Sequence, residues 1–438
     1  MLSNESYPHT VWRDATKVKT SVLLLWILLA ACSPTNESPL FTPSGQEAWI
    51  PDQNESYQTY VDRNETRIRE VLRQVHYSQG HFPFGADYPL ERVVAMRAPY
   101  ELGPNVQDCT ETEAGVGMGF LLIHGLTDSP YLLRNVAESL LERFPCANAR
   151  GLLLPGHSTV PGDTLKMRHE DWMRVTEFGV ESFRADVAEL YLVGFSTGTS
   201  LSVRYADEHR DDALLKGLIM LSPALEARSS SAYLAPYVRW FSDWLGTDAE
   251  RDAARYESFS VNAGAEFYLL TRRLMDASFR PLSIPVFMAG SGDDTTVSME
   301  AARRFFCEKT PESTRRMIWY SAQATGSLPS ETCPGMTVVA AESPPHRVHS
   351  LSHTSITVPP EDSHYGLDAH YRICLHYGDG SPDYLSCVND DEQTVYGERN
   401  LAEEGRFEGK LVRRGSFNPH YAGMIDAIAC FVEQAGRC

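Results

Sequence analysis

Tyr191-Leu-Val-Gly-Phe-Ser-Thr-Gly-Thr-Ser200 is the stretch on which the reading of this chain turns. An apolar, β-type run ends in Gly194-Phe195-Ser196-Thr197-Gly198, and a helical pattern follows at once, from Thr197 to about Glu208. A strand that passes into a helix across one serine must hold that serine in a strained backbone conformation. The residues two positions to either side must then be small, so that strand and helix can approach. Gly194 and Gly198 fill those two places.

The flanking sequence repeats a rhythm of short apolar runs and amphipathic helices. Gly119–Ile123 reads as a buried strand, and Ser129-Pro130 opens a helix carrying Leu132, Leu133, Val136, Leu140 and Leu141. Further strands are expected at 151–154, 218–221, 284–289 and 316–320, with helices at 170–188, 298–306 and 422–434. Strands that are apolar throughout and alternate with helices predict an α/β fold with a mostly parallel central sheet covered on both faces. An amphipathic helix over 60–74 and an early antiparallel strand at 92–99 are expected before the first of these units. Two stretches break the rhythm. Residues 225–283 hold Tyr233, Tyr237, Trp240, Phe241, Trp244, Phe259, Phe267 and Tyr268 and read as a cap lining an apolar acyl pocket, with part of these rings serving the cap's own core. Residues 321–418 are polar and too long for a simple connection, so they read as an insertion before the last helix.

Three motifs in order carry a family resemblance: His124-Gly-Leu-Thr-Asp-Ser-Pro130, Leu154-Pro-Gly-His157 and Gly194-Phe-Ser-Thr-Gly198. Together they resemble the carboxylesterase, monoacylglycerol-lipase and lysophospholipase branch of the α/β-hydrolases, which lies beside the proline-aminopeptidase-like family. The likeness spans about 115–320 plus a histidine loop and a last helix. It departs from the family in the insertion and in Thr199, where a third glycine is common. The resemblance implies serine hydrolysis without a cofactor, with the catalytic groups in the chain order serine, acid, histidine.

A serine hydroxyl needs a histidine to take its proton and an acid to orient that histidine. Ser196 is the expected nucleophile. The acid is expected where 284–289 runs into Gly290-Ser-Gly-Asp293-Asp294-Thr-Thr-Val297. Asp294, three residues before Val297, resembles the family's Asp-x-x-Val pattern and is taken ahead of the alternative acid Asp293. The insertion offers His346, His349, His353, His364, His370 and His376 as the base. Val348–Ile356, an extended run with a small residue before its second histidine, selects His353, with His364 in Ser363-His-Tyr-Gly as the alternative. No acid pattern completes a metal site around His346, His349 and His353, so no metal is expected. The oxyanion donors are expected to be the N–H groups of Leu126 and Thr197, with His124 and His157 shaping their loops. A peptidase would instead keep a cap acid for the substrate's amine, for which Glu257 and Glu266 are the candidates.

The N-terminus reads as an address. Lys17 and Lys19 precede the apolar run Val22–Leu29, and Leu29-Ala-Ala-Cys32 resembles a bacterial lipobox, which implies lipidation of Cys32 and a signal peptide over 1–32. Residues 33–57, rich in Ser, Pro, Asn and Glu, are expected to tether the hydrolase domain, 58–438, to a membrane, and Ser33 points to the outer one. The 438 residues carry 39 Lys and Arg against 58 Asp and Glu, a formal charge of −19 that disfavours nucleic acid as a partner. Small esters or lipids remain as substrates. Beyond Cys32, eight cysteines in an exported chain imply disulfides, and pairing neighbours in sequence gives 109–146, 307–333, 374–387 and 430–438.

Overall fold

A computed structural model describes residues 38–438, apart from 48, 53, 79–82, 105–108, 110–114, 324, 370, 404 and 416. Residues 39–438 form one unit. Cys32 and the signal segment lie outside the described residues, as does His370. No described helix is long and apolar enough to cross a membrane.

The elements in chain order are α1 (Tyr57–Val75), α2 (Leu90–Arg97), β1 (Tyr100–Leu102), β2 (Met118–Ile123), α3 (Tyr131–Arg143), β3 (Asn148–Leu152), α4 (His169–Glu181), β4 (Glu189–Phe195), α5 (Thr197–Glu208) and β5 (Leu215–Leu221). The cap follows with α6 (Ala235–Val238), β6 (Trp244–Gly246), β7 (Phe259–Ser260) and α7 (Val261–Thr271). After it come β8 (Val286–Ser291), α8 (Met299–Lys309), β9 (Arg315–Ser321) and β10 (Met336–Ala340). The chain ends with α9 (Pro382–Asn389), β11 (Thr394–Gly397), α10 (Arg399–Glu403), β12 (Leu411–Arg414) and α11 (Tyr421–Glu433).

Eight strands make one sheet in the order β1-β3-β2-β4-β5-β8-β9-β10, with only β1 antiparallel. β4 pairs in parallel with β2 on one side and β5 on the other. Leu190, Leu192, Val193 and Phe195 are fully buried, which is why this strand is apolar without alternation. Every loop that carries site chemistry leaves a carboxyl end of this sheet, where parallel α/β sheets place their ligands.

Four expectations need correcting or refining. Residues 90–97 are a helix rather than a strand. Pro89 stands at its cap position, and the helical spacing turns Val93, Val94, Met96 and Arg97 inward. The antiparallel edge strand is the next segment, β1. The expected tether is fixed from Pro39 onward, because its polar groups meet buried partners. Ser44 gives its N–H and hydroxyl to Asp163 at 2.6 and 2.8 Å, Glu47 accepts from Gly156 N at 2.8 Å, and Phe41 packs on the edge of Trp244. The insertion is built rather than loose, adding β10 to the sheet and a separate parallel pair, β11–β12. In the cap, Tyr237, Trp240 and Phe241 are 69, 77 and 85 % exposed. These three rings face outward, since a ring's spacing along a segment does not say which side the domain lies on. The four expected disulfides are all formed.

Candidate active site

Ser196 sits between β4 and α5 at φ 51°, a left-handed conformation that an ordinary residue adopts only under constraint. The constraint is close packing. A carbon added to Gly198 would stand 1.9 Å from Ile123 O, and one on Gly194 would stand 2.6 Å from the Gly198 carbonyl. Both glycines are required by this turn. Thr199, which departs from the glycine common in the family at this place, accepts the Ala224 N–H on Oγ1 and donates its hydroxyl to Ser196 O at 2.6 Å, tying the elbow to the segment after β5.

His353 Nε2 lies 2.9 Å from Ser196 Oγ, and its Nδ1 lies 2.6 Å from Asp294 Oδ2. With Nδ1–H donating to the carboxylate, Nε2 is free to accept the serine proton. All three residues are at least nine-tenths buried. Asp294 follows β8, and its other oxygen accepts from the N–H groups of Thr296 and Val297 at 2.8 and 3.1 Å. The Asp-x-x-Val spacing therefore has a direct physical basis. Burial pushes the Asp294 carboxyl up, but the charge and hydrogen bond of His353 and these two backbone donors outweigh it and hold the group below the usual range.

The alternatives sit elsewhere. Asp293 turns away to accept from Thr325, from Ser327 Oγ at 2.9 Å and from Ala322 N at 3.2 Å, which anchors the chain leaving β9. His364 is buried 2.9 Å from Asp252 and 2.6 Å from the Tyr88 hydroxyl. His346 bonds Ser343, His349 packs against Phe407, and His376 bonds Val412 O. Neither cap acid is open to a substrate amine. Glu257 accepts from the Tyr371 hydroxyl and from the N–H groups of Arg251 and Asp252. Glu266 is held by His169 and Arg239, both at 2.5 Å.

Leu126 leaves β2 in the turn His124–Asp128. Its N–H and that of Thr197, at the start of α5, donate to no other described residue, so both are open to an oxyanion. Two neutral histidines hold this turn. His124 gives Nδ1–H to Gly125 O at 2.7 Å and accepts Leu154 N–H at 3.0 Å. His157 accepts Thr127 N–H at 3.0 Å on Nε2. Burial pushes His124 well below the usual imidazole range and His157 to about 4.

Several positioning residues had no sequence signal. The His353 loop is fixed by Glu398, fully buried after β11, which accepts His353 N–H at 3.1 Å and is itself paired with Arg414 at 2.7 Å. Ser222 donates its hydroxyl to His353 O at 2.8 Å, and Arg228 donates to Asp294 O. These are long-range meetings, and that of Glu398 with Arg414 is created only when β11 and β12 pair.

A parallel sheet, a strained serine between strand and helix, and an acid and histidine in line with it define the α/β-hydrolase fold. The description of the alpha/beta hydrolase fold family matches this chain over residues 120–284. The chain is similar to the thermostable monoacylglycerol lipase of Bacillus sp. (strain H-257), at 22% identity over 185 residues that cover 41% of this chain and 72% of the relative. Among solved structures it is similar to the monoacylglycerol lipase of Paleococcus ferrophilus, at 20% identity and a TM-score of 0.40 over 51% of this chain and 88% of the other. It is also similar to a soluble variant of the Saccharomyces cerevisiae monoglyceride lipase, at 16% identity and 0.39 over 51% and 82%.

Proposed function

We propose that the protein is a serine hydrolase of carboxylic esters that works through an acyl-enzyme. The observation that carries this reading is the unbroken line Ser196 Oγ, His353 Nε2, His353 Nδ1, Asp294 Oδ2, at 2.9 and 2.6 Å. Ser196 Oγ attacks the ester carbonyl while His353 takes its proton, and Asp294 steadies the imidazolium that forms. The negative charge on the carbonyl oxygen is met by the N–H groups of Leu126 and Thr197. Collapse breaks the bond to the alcohol, which leaves with the proton from His353. Water, deprotonated by His353, then attacks the acyl carbonyl and frees the acid and Ser196. No step calls on a cofactor or metal.

Short- and medium-chain acyl esters, monoacylglycerol and lysophospholipid are the favoured substrates, in keeping with the similarity to the Bacillus lipase. The engaged states of Glu257 and Glu266 favour esters over amino-terminal peptides. A retired, purely binding module would have no need of the strained serine. A panel of p-nitrophenyl esters against wild type and Ser196→Ala tests the mechanism. Turnover is expected only in wild type, and turnover that survives the substitution contradicts it.

We also infer a lipid-anchored protein of the bacterial envelope, with Cys32 lipidated and the outer membrane as its site. Phe41, nine residues beyond Cys32 in the sequence, packs on Trp244 in the cap segment that also carries the exposed Trp240 and Phe241. Trp and Tyr favour membrane interfaces. Cys32→Ser is expected to shift the protein from the membrane to the soluble fraction; an unchanged distribution rejects the anchor.

A further inference from the structure

Two charged side chains next to the elbow take no part in the line from Ser196 to Asp294. Asp128 closes the turn that carries Leu126 and is 4 % exposed. A carbon placed on Gly125 would stand 2.4 Å from Asp128 Oδ2 and 2.9 Å from Ser196 Cβ, so the carboxylate and the serine side chain both crowd the space that a side chain at Gly125 would fill. The Asp128 N–H donates to Gly125 O at 3.3 Å, yet neither carboxylate oxygen accepts a hydrogen bond from any described residue. Nor does Asp128 cap α3, which begins behind Pro130 with no side-chain cap bond. Burial pushes its carboxyl up to about 6, against the pull of Arg255 and His353.

Arg255 is held beside this turn. Its neighbour Tyr256 donates its N–H to Thr127 O at 2.9 Å. The guanidinium gives Nε to Asp252 Oδ2 at 3.1 Å, and Asp252 is fixed in turn by His364 at 2.9 Å and the Tyr365 hydroxyl at 2.7 Å. The two remaining Arg255 nitrogens, Nη1 and Nη2, donate to no described residue. An open acceptor therefore stands by the nucleophile's turn, with open donors on a guanidinium whose charge acts on that carboxylate. A desolvated carboxylate without a donor is unfavourable, and an ionised one near a forming oxyanion adds like-charge repulsion. A substrate group that donates to Asp128 relieves both.

We propose that Asp128 and Arg255 form a polar subsite that takes a free hydroxyl of the substrate close to the scissile ester, so that esters of hydroxylated alcohols are preferred to plain alkyl esters. The proposal rests on ester hydrolysis at Ser196. A hydroxyl suits the pair because it can donate to the carboxylate and accept from the guanidinium at once. An ammonium would meet the charge of Arg255, and a carboxylate or phosphate that of Asp128.

The test compares kcat/KM for 2-hydroxyethyl butyrate and its near-isostere propyl butyrate in wild type, Asp128→Ala, Asp128→Asn and Arg255→Met. Wild type is expected to prefer the hydroxylated ester by about tenfold or more, since a site that hydrogen-bonds a hydroxyl discriminates against a substrate lacking it. Asp128→Ala and Arg255→Met are expected to bring the ratio towards one. Asp128→Asn, which keeps an acceptor oxygen and the side-chain shape, is expected to fall between and carries the test should the alanine variant not fold. A purely structural role would lower both rates together and leave the ratio in place, which overturns the proposal, as does a wild type with no preference. A preference for butyrylcholine over the hydroxyethyl ester, lost in Asp128→Ala, overturns the hydroxyl assignment in favour of a cation. Wild type that turns over neither ester and leaves Ser196 unlabelled by a fluorophosphonate refutes the serine reading itself, a result separate from a changed ratio.

Discussion

Among the described residues two buried His–Asp pairs, His353–Asp294 and His364–Asp252, lie at 2.6 and 2.9 Å, and the account gives them opposite jobs. Replacing His364 by alanine removes one of three side-chain partners from a fully buried carboxylate that also accepts the Ala254 N–H. Burial pushes Asp252 up, but His364, Arg255 and Tyr365 together draw it down to about 2 from an ordinary 3.8. Folding linkage converts that difference to ~2.5 kcal/mol at neutral pH, in line with ~3 kcal/mol for breaking a buried pair. Because the folded value is depressed, this stability is present above pH 4 and is lost as pH falls through about 2. Most of it is expected to disappear in His364→Ala, with ester turnover at neutral pH reduced far less than in His353→Ala. His353→Ala is expected to cut kcat by ~10⁴-fold or more, with a smaller loss of stability, since Asp294 keeps its two backbone donors. Guanidinium denaturation followed by tryptophan fluorescence, beside p-nitrophenyl butyrate turnover, measures both. Abolished turnover in a His364→Ala protein of unchanged midpoint would refute the assignment.

Asp128 gives a prediction of the opposite sign. Its folded-state value is raised to about 6, so its favourable contribution is present below pH 4 and is lost as pH rises through 6. Asp128→Asn is therefore expected to gain ~3 kcal/mol on wild type between pH 4 and pH 7.5 in denaturation midpoints, and a flat difference would show the carboxyl is not desolvated. Asp294→Asn is expected to lower kcat by ~10³- to 10⁴-fold through the wrong imidazole tautomer, while Asp293→Asn keeps most of the activity; the reverse order in steady-state rates rejects the choice of acid. Gly198→Ala should fail to fold or to label with a fluorophosphonate, because its methyl meets the Ile123 carbonyl at 1.9 Å; normal labelling counts against the packed elbow.

What was legible in the sequence was what is decided locally. Gly194, Ser196 and Gly198 announce the elbow because the steric demand falls within five residues. Asp294 was readable because its own turn, through Thr296 and Val297, holds it. The disulfides obey the same rule, joining neighbours in sequence. His353 stood out from other histidines of the insertion only by its small, apolar surroundings, while the groups that fix it, Glu398 and Arg414, come from strands that mean nothing until they pair. The exposed cap aromatics and the fixed segment after Pro39 were misread for one reason: composition does not reveal what lies on the other side of a segment. Asp128 had no signal of its own within the motif His124–Pro130, because its place by the Ser196 turn depends on β2 and β4 being neighbours.

The central claim is that Ser196 forms the covalent intermediate. Rapid quench of the enzyme with p-nitrophenyl butyrate, followed by peptide mapping by mass spectrometry, tests it most directly. The account predicts a butyryl adduct on Ser196 that accumulates when deacylation is slowed by low pH and is missing from Ser196→Ala. Hydrolysis with no adduct on Ser196, or an adduct on another residue, would contradict it.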